Sequence, residues 1–398
     1  MTLDKIYHAA FVLKDIIRKT DVIAAPELNP DADIILKTEN LQVTGSFKVR
    51  GAAYKISQLS EEEKARGVIA CSAGNHAQGV ALAATKAGAK SLICLPDNAP
   101  ISKIEATKKY GADVCLVPGV YDDAYNKALE LRDSEGYTFV HPFNDEDVIA
   151  GQGTIGLEIL EQVPDVDAVI VPVGGGGLIS GVAYAIKALN PNVKVYGVQA
   201  SGAPSMVKSV KEGKIKKLAS VTTIADGIAV KAPGDITVDI INRLADGVVT
   251  VTESEIANAI LLLIERCKQV VEPSGATSLA AVLSGKIDVK GKRVVCVLSG
   301  GNIDVSFIQS IIERGLVARH RRIKFTAIVV DRPGSLVQLL QVIADAGANI
   351  LAVEHDKLRE NLNPNETSVH ISCEVGGKEH GQALIDKLLE KGYPVEMD

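Results

Sequence analysis

Up to about residue 315 this chain repeatedly sets a short, unbroken run of Val, Ile, Ala and Cys before a longer segment with helical spacing. GVIACSA (67–73) precedes GNHAQGVALAATKAG, KSLICLP (90–96) precedes a helix over 101–110, and ADVCLVP (112–118) precedes one over 120–135. DAVIVPV (167–173) runs into four glycines and then LISGVAYAIKALN, with further strands at KVYGVQA and RVVCVLSG. Apolar runs without alternation are strands covered on both faces, so the pattern predicts parallel sheets clothed by helices. The expected class is α/β with two such sheets.

Beyond a basic stretch at 318–324 the pattern changes. IKFTAIVV (323–330), the turn DRPGS, the helix LVQLLQVIADAG, NILAVEHDKL (349–358), ETSVHISCEV (366–375), HGQALIDKLLEKG (380–392) and YPVEM follow one another. That is β-α-β-β-α-β, a ferredoxin-like module, with His370, Ser372 and Glu374 expected on the solvent side of their strand. The expected division is a large domain over 1–58 and 146–318, a small domain over 59–145, a linker at 319–323 and the module at 324–398.

Composition removes several classes. The 398 residues carry 43 Lys plus Arg against 49 Asp plus Glu, a net charge of −6, which offers no electrostatic footprint for nucleic acid. The two basic stretches, 208–218 and 318–324, lack interleaved aromatics and read as solvated lysines and a charged linker. Ile6, Ala10, Leu13 and Ile17 give the N-terminus an amphipathic stripe rather than a leader's apolar run, and no segment is long and apolar enough to span a membrane. Cys71, Cys94, Cys115, Cys267, Cys296 and Cys373 lie in apolar segments without CxxC spacing, so core thiols, no metal site and a cytoplasmic location are expected.

Two strand-to-helix junctions are suited to anions. Gly174, Gly175, Gly176 and Gly177 let backbone N–H groups converge at a helix N-terminus, since no Cβ blocks the approach. Neither GxGxxG nor GK[ST] is present, so this is neither a dinucleotide fingerprint nor a P-loop. SAGNH (72–76) offers a second, smaller nest fit for a carboxylate, although Ser and Asn are also routine caps. In TGSFKVRGA (44–52), Lys48 sits between Phe47 and Val49, where desolvation would make its amine a nucleophile or base. Phosphate loop, carboxylate loop and imine-forming lysine together point to pyridoxal phosphate acting on an amino acid.

TGSFKVRGA, SAGNHAQGVA, GQGT (151–154), VPVGGGGL, TIADGIAV, EPSGA and VLSGGN occur in that order, and over residues 5–315 they resemble the threonine/serine dehydratase (threonine ammonia-lyase) branch of the fold-type-II pyridoxal-phosphate enzymes. The tail, with DRPGSL (331–336) and AGANI (346–350), resembles an ACT regulatory domain. The resemblance implies Lys48 as Schiff-base lysine and Cα base, Gly174 to Gly177 with Leu178 around the cofactor phosphate, and Phe47 against the ring. It further implies Asn75 on the pyridine 3′-oxygen, Ser299 on the ring nitrogen, and the backbone of Ser72, Ala73, Gly74, Asn75 and His76 on the substrate carboxylate. A hydroxyl at Ser299 does not hold a proton on the ring nitrogen, which suits β-elimination of L-threonine or L-serine to 2-oxobutanoate or pyruvate and ammonia. His76 and His141 read as structural. Glu272 is left between a place near the cofactor and a surface or capping role. No side-chain acid is evident in these blocks for the departing hydroxyl.

For the tail the resemblance implies an amino-acid effector between Asp331, Pro333, Gly334, Ser335 and Leu336 on one side and Asn349 and Ile350 on the other. Isoleucine or valine would fit a role in isoleucine synthesis. A homo-oligomer, dimer or tetramer, is implied in the same way. Three other readings stand beside this one: a serine racemase, a 3-hydroxyaspartate dehydratase, and a non-catalytic ACT-based amino-acid sensor. Racemases carry a serine at the position of Ala73 and acidic cation ligands where this chain has Gln199 and Ser205, which favours a lyase.

Overall fold

The computed structural model describes every residue except Leu358, Glu360, Asn361 and Asp398. Leu358, the expected end of one tail strand, therefore lies outside the described residues. The chain forms two compact units, Met1–Ile303 and Asp304–Asp398.

The first unit contains the strands β1 (Val22–Ala24), β2 (Asp33–Lys37), β3 (Val68–Cys71), β4 (Ser91–Pro96), β5 (Asp113–Val117), β6 (Thr138–Phe139), β7 (Ala168–Pro172), β8 (Lys194–Ala200), β9 (Gly247–Val251) and β10 (Arg293–Val297). They build a six-stranded sheet in the order β1-β2-β10-β7-β8-β9 and a four-stranded sheet in the order β5-β4-β3-β6. All neighbours pair in parallel except β1, which returns antiparallel along β2 at one edge. The expected strands all form. Those missing from the sequence reading, β1, β2, β6 and β9, are short, carry charge or sit half-exposed at an edge, where the unbroken apolar signature fades.

Central strands are buried on both faces: Val169, Ile170 and Val171 are fully covered, as are Val294, Val295 and Cys296. The opening helix, Leu3–Leu13, is capped by the Thr2 hydroxyl and buries Ile6, Ala9 and Leu13. Ala9 takes the covered place expected for Ala10, and Ile17 falls past the helix end. GQGT lies inside a helix, Glu146–Gln162, where missing side chains allow close helix contact. A Cβ on Gly151 would stand 2.6 Å from the Arg50 carbonyl oxygen, and one on Gly181 2.3 Å from that of Ile149.

In both sheets the chemical motifs leave the C-terminal ends of strands, where open α/β sheets place their ligands. Ser72–Gly74 follow β3, Gly174–Gly176 follow β7, and Ser299 follows β10.

The second unit contains β11 (Arg322–Val330), β12 (Asn349–Asp356), β13 (Glu366–Glu374) and β14 (Val395–Met397) in an antiparallel sheet of order β12-β13-β11-β14. Helices Ser335–Asp345 and Lys378–Glu390 complete the β-α-β-β-α-β chain and share a core of Phe325, Leu339, Ile343, Ile371, Leu384 and Leu388. His370, Ser372 and Glu374 are half-exposed while Ile371 and Cys373 are buried, the expected alternation. The helix Val305–Ala318, expected with the large domain, falls in this second unit and buries only Ile311. The division thus precedes the expected linker, and β11 already begins within it.

All six cysteines are free, and Cys71, Cys94, Cys296 and Cys373 are buried. Among the described residues no helix is long and apolar enough to cross a membrane.

Candidate active site

Lys48 opens the helix Lys48–Ser57. The segment before it is fastened to the loop after β10: the Phe47 N–H donates to the Ser299 carbonyl at 3.1 Å, and Ser46 bridges Gly300. Lys48 Nζ donates to the Pro142 carbonyl at 2.9 Å and stands 5.2 Å from the Phe47 ring centre. Burial pushes its pKa down to about 8, against the opposing charge of Glu272. Desolvation between Phe47 and Val49, read from the sequence, is thereby realised. Two residues on, fully buried Arg50 donates to Glu39 at 2.7 and 2.8 Å and to Glu158 at 2.6 and 3.0 Å. Burial works against the Glu39 charge, yet the Arg50 charge and hydrogen bonds hold its carboxyl below the usual range.

The glycine loop has the shape of an anion cradle. Gly176 has φ +99°, a left-handed conformation that favours glycine. A Cβ on Gly175 would meet the Phe143 ring at 2.3 Å, one on Gly177 the Phe143 backbone at 2.9 Å, and one on Gly174 the Ile228 Cα at 3.1 Å. Among the described residues no backbone carbonyl accepts from the N–H groups of Gly174, Gly175 or Gly176. Unclaimed N–H groups at the start of the helix Gly177–Leu189 suit a phosphate, so the loop fits the phosphate of pyridoxal phosphate. Leu178 lies buried in the same first turn. The packing of Phe143 on this loop has no signal in the sequence blocks.

The second junction is more heavily used by the protein than its sequence implies. The Gly74 N–H donates to the Ser72 hydroxyl at 3.2 Å, and Asn75 begins the helix Asn75–Lys86, with Ala73 half-buried between them. The Asn75 amide nitrogen donates to the two Glu272 carboxylate oxygens, at 2.8 and 3.0 Å, while its Oδ1 accepts from Asn302 at 2.8 Å. Glu272 is 5% exposed and its side chain makes no capping bond, so the surface and capping roles are both set aside. Burial raises its carboxyl to about 7, opposed by the Asn75 hydrogen bonds. The Glu272 charge thus bears on Lys48, and Asn302 joins the group through Asn75 from the GGN of its block.

His76 is buried with Nε2 2.8 Å from the Val140 carbonyl, and burial followed by the Lys48 charge pushes it down to about 3. His141 accepts through Nδ1 from the N–H groups of Phe143 and Asn144, and the same two causes take it down to about 4. Both rings are neutral brackets for backbone, as their sequence context implies. Ser299 is 3% exposed. Gln199 is buried and accepts from the Val207 N–H at 3.0 Å, and Ser205 begins the helix Ser205–Glu212. Among the described residues no group of three or more His, Cys, Asp or Glu is arranged to hold a metal.

In the second unit, Asp331, Pro333, Gly334, Ser335 and Leu336 line one cavity together with His355 and Lys357. Lys357 Nζ lies 2.9 Å from both Asp331 carboxylate oxygens. Asn349 and Ile350 are not in that lining: Asn349 pairs with Glu374 at the start of β12, and Ile350 packs on the core.

A desolvated lysine, an anion loop at a helix N-terminus and a second nest at the end of another parallel strand fit an enzyme that works with a phosphorylated carbonyl cofactor. The chain belongs to the pyridoxal-phosphate dependent enzymes, whose family model matches residues 13–300. It is 49% identical to the L-threonine ammonia-lyase of Thermotoga maritima over 100% of this chain and 99% of that protein. Among solved structures it is similar to the processed form of threonine deaminase isoform 2 from Solanum lycopersicum, with 38% identity, a TM-score of 0.74, and coverage of 79% of this chain and 89% of that one. Maize serine racemase matches with 36% identity and a TM-score of 0.75 over 80% of this chain and 98% of its own.

Proposed function

We propose that this chain is a pyridoxal-phosphate-dependent ammonia-lyase that converts L-threonine, and L-serine, to 2-oxobutanoate or pyruvate and ammonia. The observation that carries the reading is the buried Lys48 amine, its pKa lowered to about 8, in one unit with the glycine cradle. The full-length likeness to an L-threonine ammonia-lyase supports the substrate. Pyridoxal phosphate bound at Lys48 supplies an electron sink for the pair left when Cα is deprotonated. Lys48 is the group that takes the Cα proton, since a neutral amine is available to it near physiological pH. The N–H groups of the Ser72–His76 turn hold the substrate carboxylate, and Gly174 to Gly177 with Leu178 hold the cofactor phosphate. Phe47 packs on the ring, Ser299 faces the ring nitrogen and Asn75 the 3′-oxygen. Glu272 bears on the site through Asn75, whose amide it holds. Racemisation is disfavoured because Ala73 carries no group that moves a proton.

The tail is proposed as an ACT domain that binds an amino acid at the DRPGS turn, with assembly of the chain into a homo-oligomer. The cavity around Asp331–Leu336 supports this siting. The test is 2-oxobutanoate formation from L-threonine by purified protein, with and without isoleucine. Product that vanishes in Lys48→Ala, together with its visible absorbance, upholds the mechanism; full activity in that variant removes it. Product from L-serine alone would reassign the substrate.

A further inference from the structure

We infer that Thr237, which lies in none of the sequence blocks read above, is a positioning residue for the phosphate loop and acts through the Gly175 carbonyl. The inference rests on the proposed cofactor site. Thr237 is fully buried in the helix Asp235–Leu244. Its hydroxyl lies 2.6 Å from the Gly175 carbonyl oxygen and 3.0 Å from that of Gly234. One hydroxyl has one hydrogen, and the nearer acceptor is Gly175. The Gly234 N–H donates to the same oxygen at 3.4 Å.

The carbonyl and the following N–H of a planar trans peptide point in opposite directions. Holding the Gly175 carbonyl toward the helix Asp235–Leu244 therefore aims the Gly176 N–H the other way, into the hollow of the loop. The left-handed Gly176 sustains that turn, and its missing side chain gives Thr237 room: a Cβ there would lie 2.8 Å from the Thr237 Cβ. A second tie reaches the same residue, because the Ser180 hydroxyl, in the first turn of the helix after the glycines, donates to the Thr237 carbonyl at 3.4 Å. Asn144 fixes the start of the Thr237 helix, accepting from the Ile236 N–H at 3.2 Å and donating to Asp235 at 2.7 Å. Loop, anion-facing helix and supporting helix are thus joined at one threonine. The ligand class that benefits is a phosphate monoester.

A threonine hydroxyl bonded to the carbonyl three residues back is also routine inside helices, and that local role leaves cofactor affinity untouched. The experiment separates the two. Apoprotein is titrated with pyridoxal phosphate and, in parallel, with pyridoxal, which lacks the phosphate, for the unsubstituted chain, Thr237→Val and Thr237→Ser. Thr237→Val is expected to weaken pyridoxal phosphate binding about fivefold to tenfold, the worth of one buried hydrogen bond, with pyridoxal affinity unchanged. Thr237→Ser is expected to restore it. Unchanged pyridoxal phosphate affinity in Thr237→Val, an equal loss for both ligands, or failure of serine to restore binding overturns the role of Thr237. Failure of the unsubstituted chain to bind pyridoxal phosphate overturns the cofactor reading and this inference with it. Should Thr237→Val not fold, Thr237→Ala replaces it in the same titration.

Discussion

At Lys48 two effects act on one ammonium: burial disfavours the charge and the Glu272 carboxyl favours it. Burial prevails, so the amine gives up its proton near pH 8 rather than at the ordinary 10.5. At neutral pH that raises the neutral fraction by about two to three powers of ten, since each pH unit is a factor of ten. The rate at which apoprotein takes up pyridoxal phosphate should therefore climb about tenfold per unit below pH 8 and level off above it. Stopped-flow absorbance across pH 6 to 10 measures this, and a profile still rising at pH 10 would mean an ordinary lysine. Gly175 supplies a steric counterpart. Its Ala variant drives a methyl into the Phe143 ring, an overpacking cost of about 1–3 kcal/mol, so pyridoxal phosphate affinity should fall about tenfold or more. Phe143→Leu in the same chain should recover part of the loss, read by the same titration.

One level up, the helix Lys48–Ser57 is set by its third residue as much as by its first. Arg50 holds Glu39 and Glu158, and Lys37 Nζ reaches Glu158 at 2.6 Å, all within a buried cluster. Arg50→Met would leave the fully buried Glu39 without its ion-pair partner and should cost about 3–5 kcal/mol in a urea unfolding curve. Adding Glu39→Gln should cost less than the sum of the two single changes, because both remove the same interaction. Nothing in SFKVRGA announces that cluster, since its partners lie 11 and 108 residues further along or back in the chain. The limit on reading this sequence is general in form. Parallel strands, the glycine cradle, the desolvated lysine and the tail's β-α-β-β-α-β order depend on runs of a few residues and were legible. The pairing of Glu272 with Asn75, Phe143 packed on Gly175, and the Arg50 cluster depend on segments brought together only by folding. Helix Val305–Ala318 fell outside its expected domain for a related reason: its own pattern is helical in either unit, and only its contacts assign it.

For the whole molecule, the first unit holds two sheets and the second unit one, and each unit has its own buried core. The family model for pyridoxal-phosphate dependent enzymes matches residues 13–300, which lie wholly within the first unit. A chain ending at Ile303 should accordingly fold, bind pyridoxal phosphate and turn over L-threonine, while losing any response to isoleucine. An isoleucine response that survives the truncation would move regulation into the first unit. The four-stranded sheet has a different relation to its neighbour. It is spliced into the six-stranded one: the chain leaves after the helix ending at Ser57 and returns at the helix beginning at Glu146. Gly79 lets the helix Asn75–Lys86 pack close on the backbone of Lys48 and Val49, where a Cβ would stand 3.0 Å from the Val49 nitrogen. The Ser72–His76 turn follows a strand of the four-stranded sheet, while the glycine loop and Ser299 follow strands of the six-stranded one. On the proposed function, a substrate held by its carboxylate at the Ser72–His76 turn and joined to the cofactor at Lys48 would be a rivet between the two sheets.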